Sequence, residues 1–251
     1  MKPFRARPNA VAVVGIILLS VFSNATLAAD ADKVFEKGLA AAEAAEYGNA
    51  AEAFTASLGD RPAEGTLLNL GLVEWHRGRV GEAVLSWQRA LWIDPHNREA
   101  QNNLRFAGRA ADIDLPELTW FEVASTWLPV NDWVWITGAS LWLAGCMVTL
   151  PGILRWRRAG WHQTLAAFGL GVFLLSVPAH LGVITRTNIG VVLEKGALLR
   201  LTPTDQAEMI SPLAAGESAR RLREKGDYWF VNTRHGKGWI RKDQFALVCS
   251  R

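Results

Sequence analysis

Two long stretches without a charged residue constrain this chain more than any other feature. Residues 133–154 form an uncharged run of twenty-two residues, and residues 161–185 form a second whose apolar centre, 165–184, is twenty residues long. Each is long enough to cross the roughly 30 Å hydrocarbon core of a bilayer as a helix. Between them stands a short basic loop, Arg155-Trp156-Arg157-Arg158. Such a pair predicts a transmembrane hairpin over residues 132–185 with its loop at 155–160. No Lys or Arg occurs between Arg109 and Arg155, so the positive-inside rule puts the loop in the cytoplasm and both flanks outside. Arg186, Lys195 and Arg200 follow on the outer side, where a folded domain translocates despite its charges.

The residues around the runs fit the same picture. Trp127, Trp133, Trp135, Trp156 and Trp161 flank them, where amphipathic rings prefer to sit. Residues 113–131 form an interfacial segment, with a short surface helix expected over 115–128 carrying Trp120, Phe121 and Trp127. Gly169 and Gly171, with Gly138 and Gly145 opposite, would allow close helix packing. His180 is an ionisable group inside a span, and so a functional candidate by default. It stands about one turn from the outer end, which favours a neutral, hydrogen-bonded role. Cys146 falls mid-membrane and Cys249 near the C-terminus, so the two do not bridge.

The start of the chain reads as an export signal. Lys2, Arg5 and Arg7 precede an apolar run over 10–22, and small residues follow up to Ala28 and Ala29. That order predicts a signal peptide over 1–28, with an uncleaved anchor as the alternative. The formal net charge of +3 is then the charge of that segment. Residues 29–122 hold sixteen acids and nine bases, and residues 186–251 hold twelve bases and seven acids. The exported chain is therefore a dipole of near-zero net charge rather than a basic protein, which argues against nucleic acid as a partner.

Residues 29–112 are rich in Ala, Glu and Leu and carry an internal repeat. Asn69-Leu70 recurs as Asn103-Leu104 thirty-four residues later; Gly48, Glu52 and Ala53 recur as Gly78, Glu82 and Ala83 thirty residues later, which implies a shortened first connection. Residues 64–97 are the clearest unit. They carry small residues where helices touch (Gly71, Ala83, Ala90), a Gly turn at 78, Trp87 on the second helix and a terminating Pro95. This unit resembles a tetratricopeptide repeat. Two and a half such units are fewer than the roughly three usually needed for stability, so the array should lean on a neighbour. Its inner helices would line a protein-binding groove with Leu68, Asn69, Leu72, Trp75, Asn102, Phe106 and Arg109; Trp75 and Phe106 read equally as core, and Asn69 and Asn103 either as partners of a peptide backbone or as partners of their own turns.

Residues 186–251 change to short β-like runs at 189–193, 197–201, 228–232, 238–241 and 245–248, which predict a small barrel. The order of Gly-Glu, a basic strand, Gly-Asp-Tyr-Trp-Phe-Val and Gly-Lys-Gly-Trp-Ile resembles a bacterial SH3-like domain. Tyr228, Trp229 and Trp239 are its candidate surface, although adjacent Tyr228 and Trp229 must point to opposite faces. Its basic set (Arg220, Arg221, Arg223, Lys225, Arg234, Lys237, Arg241, Lys242) suits anionic lipid heads or the chain's own acidic region.

No phosphate loop, nucleophile elbow or His-Glu-x-x-His is present, and the five His are scattered. The expectation is a non-enzyme without cofactor or metal. The order of parts, with Leu67-Leu-Asn-Leu-Gly71 and Glu82-Ala-Val-Leu-Ser-Trp-Gln-Arg-Ala-Leu91, resembles BatE-type aerotolerance proteins. That resemblance implies a multidomain chain of tetratricopeptide array, two-span hairpin and SH3-like tail in a bacterial inner (cytoplasmic) membrane, with the repeat and SH3-like domains on the periplasmic or outer side. It also implies partners: membrane lipid, von Willebrand A-domain membrane proteins and, indirectly, a MoxR-type AAA+ ATPase. The expected function is an adaptor; a cell-wall sensor whose tail binds peptidoglycan is the alternative.

Overall fold

The computed structural model describes residues 31–59, 62–153 and 160–249; the signal-peptide reading and the Arg155–Arg158 loop lie outside the described residues. Among the described residues are eight helices, two of them long and apolar, and a seven-stranded antiparallel sheet. The chain divides after Pro62 into two compact units.

The first unit is a helical hairpin of α1 (31–43) and α2 (Tyr47–Leu58). The Glu46 amide reaches back to the Ala41 carbonyl at 2.8 Å, with Ala45 at φ 59°, so α1 ends in a left-handed cap that glycine usually fills. A Cβ on Gly38 would collide with the Phe54 ring, which fixes how closely the two helices approach. Phe35 adds an aromatic contact to Phe54 at 5.5 Å.

The second unit opens with α3 (Glu64–His76), α4 (Val80–Ile93) and α5 (Arg98–Ala110). The local geometry of the first unit recurs here. The Arg79 amide reaches the Glu74 carbonyl at 2.9 Å with Gly78 at φ 76°, and a Cβ on Gly71 would collide with the Trp87 indole. Gly38, Ala45 and Phe54 thus correspond to Gly71, Gly78 and Trp87, thirty-three residues later in each case. The thirty-residue pairing of Gly48 with Gly78 is corrected: Gly48 corresponds to Gly81, and no connection is shortened. Asn97 starts α5, its side chain accepting from the Ala100 amide at 2.7 Å.

The expected neighbour of this short array is the chain's own sheet. Val84 and Ala90 of α4 are completely buried, and Gly81 lies so close to the backbone of Val192 and Leu193 that no side chain fits there. Arg89 donates from Nε to the Val248 carbonyl at 3.3 Å and from Nη2 to the Leu247 carbonyl at 3.1 Å. Burial pulls the Arg89 guanidinium below its ordinary pKa. Gln88 Nε2 donates to Ser218 Oγ at 3.1 Å.

After an extended stretch comes α6 (Trp120–Ser125), shorter than the helix expected over 115–128. Pro116 disfavours a helical residue before it, and the Thr119–Glu122 capping box sets the start. Helices α7 (Val130–Ile153) and α8 (Trp161–Arg186) pack antiparallel and are long and apolar enough to cross a membrane. Only 17% of the most apolar window of α7 and 22% of that of α8 is buried inside the protein, unlike the core helices of a soluble domain. Trp135, Trp142, Phe168, Leu175 and Ile184 point outward instead. Of the four glycines expected at the crossing, only Gly169 is there, against the Ser140 carbonyl and Ala144; Gly138, Gly145 and Gly171 face open space. His180 Nε2 lies 2.6 Å from Thr137 Oγ1, which donates to Ser176 Oγ at 3.0 Å. Trp133 does not face outward as a belt residue would: its Nε1 donates to the Ser125 carbonyl.

The sheet has the order β3-β2-β6-β5-β4-β1-β7, with β1 (Ile189–Val192), β2 (Ala197–Arg200), β3 (Met209–Leu213), β4 (Ser218–Lys225), β5 (Tyr228–Thr233), β6 (Gly236–Arg241) and β7 (Phe245–Leu247). β3 carries Pro212 and stands at an edge, where a missing backbone donor is tolerated. Val192, Leu199, Val231, Ile240 and Phe245 form the core of this part.

Candidate functional site

The predicted groove residues occupy two helices at one spacing. Leu68, Leu72 and Trp75 stand at i, i+4 and i+7 on α3, and Asn102, Phe106 and Arg109 repeat that spacing on α5, so each set shares a face. The structure brings three of them together as an apolar surface. Leu72 is 45% exposed and Phe106 55% exposed, and Trp75 meets Phe106 edge-on at 5.4 Å. Trp75 is backed by buried Trp87 at 6.1 Å. Leu68 is half-buried, and its carbonyl accepts from Trp87 Nε1 at 3.3 Å.

The polar members are spent locally. Asn69 Nδ2 donates to the Gly65 carbonyl at 3.0 Å, Asn102 Oδ1 accepts from Arg105 Nη2 at 2.5 Å, and Arg109 Nε donates to the Arg105 carbonyl at 3.2 Å. What the face offers is therefore chiefly apolar and aromatic. Behind it, Glu74 is buried, which pushes its carboxyl pKa up against the opposing pull of Arg77 at 2.8 Å and Arg79 at 3.9 Å.

A second cluster joins the helices to the sheet. Glu122 is completely buried; Arg220 Nη1 donates to its Oε1 at 2.6 Å and Nη2 to its Oε2 at 3.1 Å, a bidentate pair. The Thr119 amide and hydroxyl both donate to Oε2 at 2.9 Å. Burial alone would raise the Glu122 pKa, but hydrogen bonds from Arg220, Thr119 and Thr185 outweigh it and hold the carboxyl down at about 2. Nearby, Arg186 at the end of α8 donates to Ser125 Oγ at 3.1 Å and lies over the Trp92 ring at 4.9 Å. α6 is locked over α8 at Gly182, where a Cβ would collide with the Phe121 carbonyl. Arg220, bonded to Glu122 and to the Thr185 carbonyl, thus ties α6, the C-terminal end of α8 and strand β4 together.

The candidate β surface is divided. Trp229 pairs with Ile240 and packs against the core, whereas Phe230 pairs with Trp239 on the other side, their rings 5.0 Å apart. Tyr228 and Trp239 are buried on that second side. The Tyr228 hydroxyl donates to Asp205 Oδ1 at 2.6 Å, holding the Asp205 carboxyl below its usual range and the phenol above its own. Arg223 covers both Phe230 and Trp239.

Most of the basic set has partners inside the chain. Arg234 pairs with Asp114, Lys242 with Glu224, and Arg241 with Asp243 at 2.8 Å, while Arg221 donates to Asn188 Oδ1 at 2.8 Å. Arg234–Asp114, together with the Arg220–Glu122 pair, joins the basic sheet to the acidic region.

Among the described residues no group of three or more His, Cys, Asp or Glu is placed to hold a metal ion, and Cys146 and Cys249 are free. No family model, no curated protein and no solved structure matches this chain. The Glu122 cluster was not among the sequence candidates. The Thr-x-x-Glu cap was visible at 119–122, but nothing local in the sequence signals Arg220 ninety-eight residues away.

Proposed function

We propose that this protein is a membrane-anchored adaptor of the BatE type, in which a short tetratricopeptide array and an SH3-like domain are held outside the cytoplasm by a two-helix hairpin. Its partner docks an apolar segment on the Leu72–Trp75–Phe106 face. The observation that carries the reading is that face: exposed Leu72 and Phe106 with half-buried Trp75 on two repeat helices, a buried Trp behind Trp75, and polar neighbours already satisfied. Hot spots of protein interfaces have this make-up, an aromatic anchor on a rigid base. The thirty-three-residue recurrence of a glycine facing an aromatic ring supports the repeat reading. The basic Arg155–Arg158 loop supports the orientation.

The family resemblance makes a von Willebrand A-domain membrane protein the partner to test. With both proteins co-expressed, chemical crosslinking in intact membranes followed by affinity purification should recover the pair. Replacing the face in a Leu72→Glu, Trp75→Glu, Phe106→Glu variant should lower recovery at least about tenfold, since each lost anchor is worth roughly 1 kcal/mol or more. Equal recovery from the variant and wild type would defeat the groove reading.

A further inference from the structure

The junction beside the end of α8 holds a half-open cavity of about 270 Å³, close to the lower limit of roughly 300 Å³ for small-molecule sites. Leu91, Leu104, Leu115, Leu118, Ile189 and Val248 give it an apolar wall. Two further residues on its lining matter most, Trp92 and Arg186. Arg186 is the last residue of the apolar helix α8, so this wall of the cavity stands at the end of a helix fit to span a bilayer. Its guanidinium lies over Trp92 and donates to Ser125 Oγ, a neutral acceptor. The one carboxylate of the cluster, Glu122, is engaged bidentately by Arg220. Two guanidinium groups therefore share one carboxylate, and the half-buried cluster keeps one positive charge in excess.

We propose that this cavity binds an acyl chain of an anionic bilayer lipid, with the lipid's phosphate or carboxylate taken by Arg186. Apolar lining accounts for the chain, and the uncompensated charge selects the head. The position at the end of α8 supplies the source, since lipid of the surrounding leaflet lies alongside that helix. The bound lipid would fill the space between α4, the extended stretch before α6 and the sheet, and so fasten the helical array to the membrane. The inference rests on the membrane reading of α7 and α8 but not on the partner face.

The test uses the full chain reconstituted in phosphatidylcholine vesicles with a trace of phosphatidylglycerol carrying a photoreactive group at its acyl end, and mapping of labelled residues by mass spectrometry. The expected result is labelling of Leu91, Leu104, Leu115 or Val248 in addition to the outward residues of α7 and α8. Unlabelled phosphatidylglycerol should compete at the cavity about tenfold better than phosphatidylcholine, the ratio expected of one charge-assisted contact. Leu118→Trp, which fills the cavity from a non-helical stretch, should abolish cavity labelling and leave that of α7 and α8 unchanged. Labelling confined to α7 and α8 in wild type, or equal competition by the two lipids, would overturn the proposal. Labelling of no part of α7 or α8 would defeat the membrane reading itself.

Discussion

Replacing Glu122 with Gln is expected to destabilise the folded chain by about 3–5 kcal/mol, the usual penalty for breaking a buried ion pair by removing one partner. Glu122 is fully buried and receives two hydrogen bonds from Arg220 and two from Thr119. Its loss leaves Arg220, and Arg186, on which Glu122 also acts, without that carboxylate. Denaturant unfolding of the detergent-solubilised protein, followed by tryptophan fluorescence, measures the change. A double variant, Glu122→Gln with Arg220→Gln, should recover part of it, because the stranded charge is removed together with its partner. The same carboxyl predicts an acid limb. Its pKa is about 2 in the folded chain against 4.5 for an unperturbed glutamate, so its contribution is complete above about pH 4.5 and is lost as pH falls toward 2. The shift corresponds to about 3 kcal/mol. Wild type should show that loss and Glu122→Gln should not; identical acid limbs would contradict the assignment.

Trp87→Ala should cost about as much, roughly 3–5 kcal/mol, for a different reason. Trp87 is 1% exposed, lies against Gly71, supports Trp75 and donates to the Leu68 carbonyl. Its removal opens a cavity between α3 and α4 that a glycine on one side cannot refill. The proposed partner face should fail along with stability, because Trp75 would lose its backing. The measurement is again denaturant unfolding, paired with partner recovery at a temperature where the variant is still folded. A cost under about 1 kcal/mol would mean that the contact between α3 and α4 does not depend on this ring.

These two residues show what was legible in the chain and what was not. The membrane-length helices were legible because a charge inside a bilayer is so costly that its absence over twenty residues is itself a signal. The repeat was legible at Gly71, Gly78 and Trp87, where geometry demands particular residue types. Its first copy was misregistered by three residues because Ala45 holds the left-handed turn that Gly78 holds later. An L-residue there costs about 1–2 kcal/mol, which a well-packed pair such as Gly38 and Phe54 can sustain, so the expected glycine was missing from the pattern. Leu72, Trp75 and Phe106 were identified because their spacing places them on one face, but spacing could not tell core from surface. That was decided by which side of α4 the sheet covers. Strand β3 was hidden by Pro212, which reads as a strand breaker until its edge position is known. The Glu122–Arg220 pair joins residues ninety-eight positions apart and depends on the helices and sheet meeting, a tertiary fact without a local trace.

The hairpin is proposed to hold one body outside the cytoplasm, in which α3–α5 and the sheet lie on the same side of the membrane. Arg89 bonded to the Leu247 and Val248 carbonyls, and Arg220 bonded to Glu122, require that common side. Single cysteines at Glu99→Cys, Arg158→Cys and Lys237→Cys, with Cys146 and Cys249 replaced by Ser, test it directly with a membrane-impermeant thiol reagent on spheroplasts. Labelling is expected at 99 and 237 in intact spheroplasts and at 158 only after lysis. Labelling of 158 from outside, or of 99 and 237 on opposite sides, would contradict it.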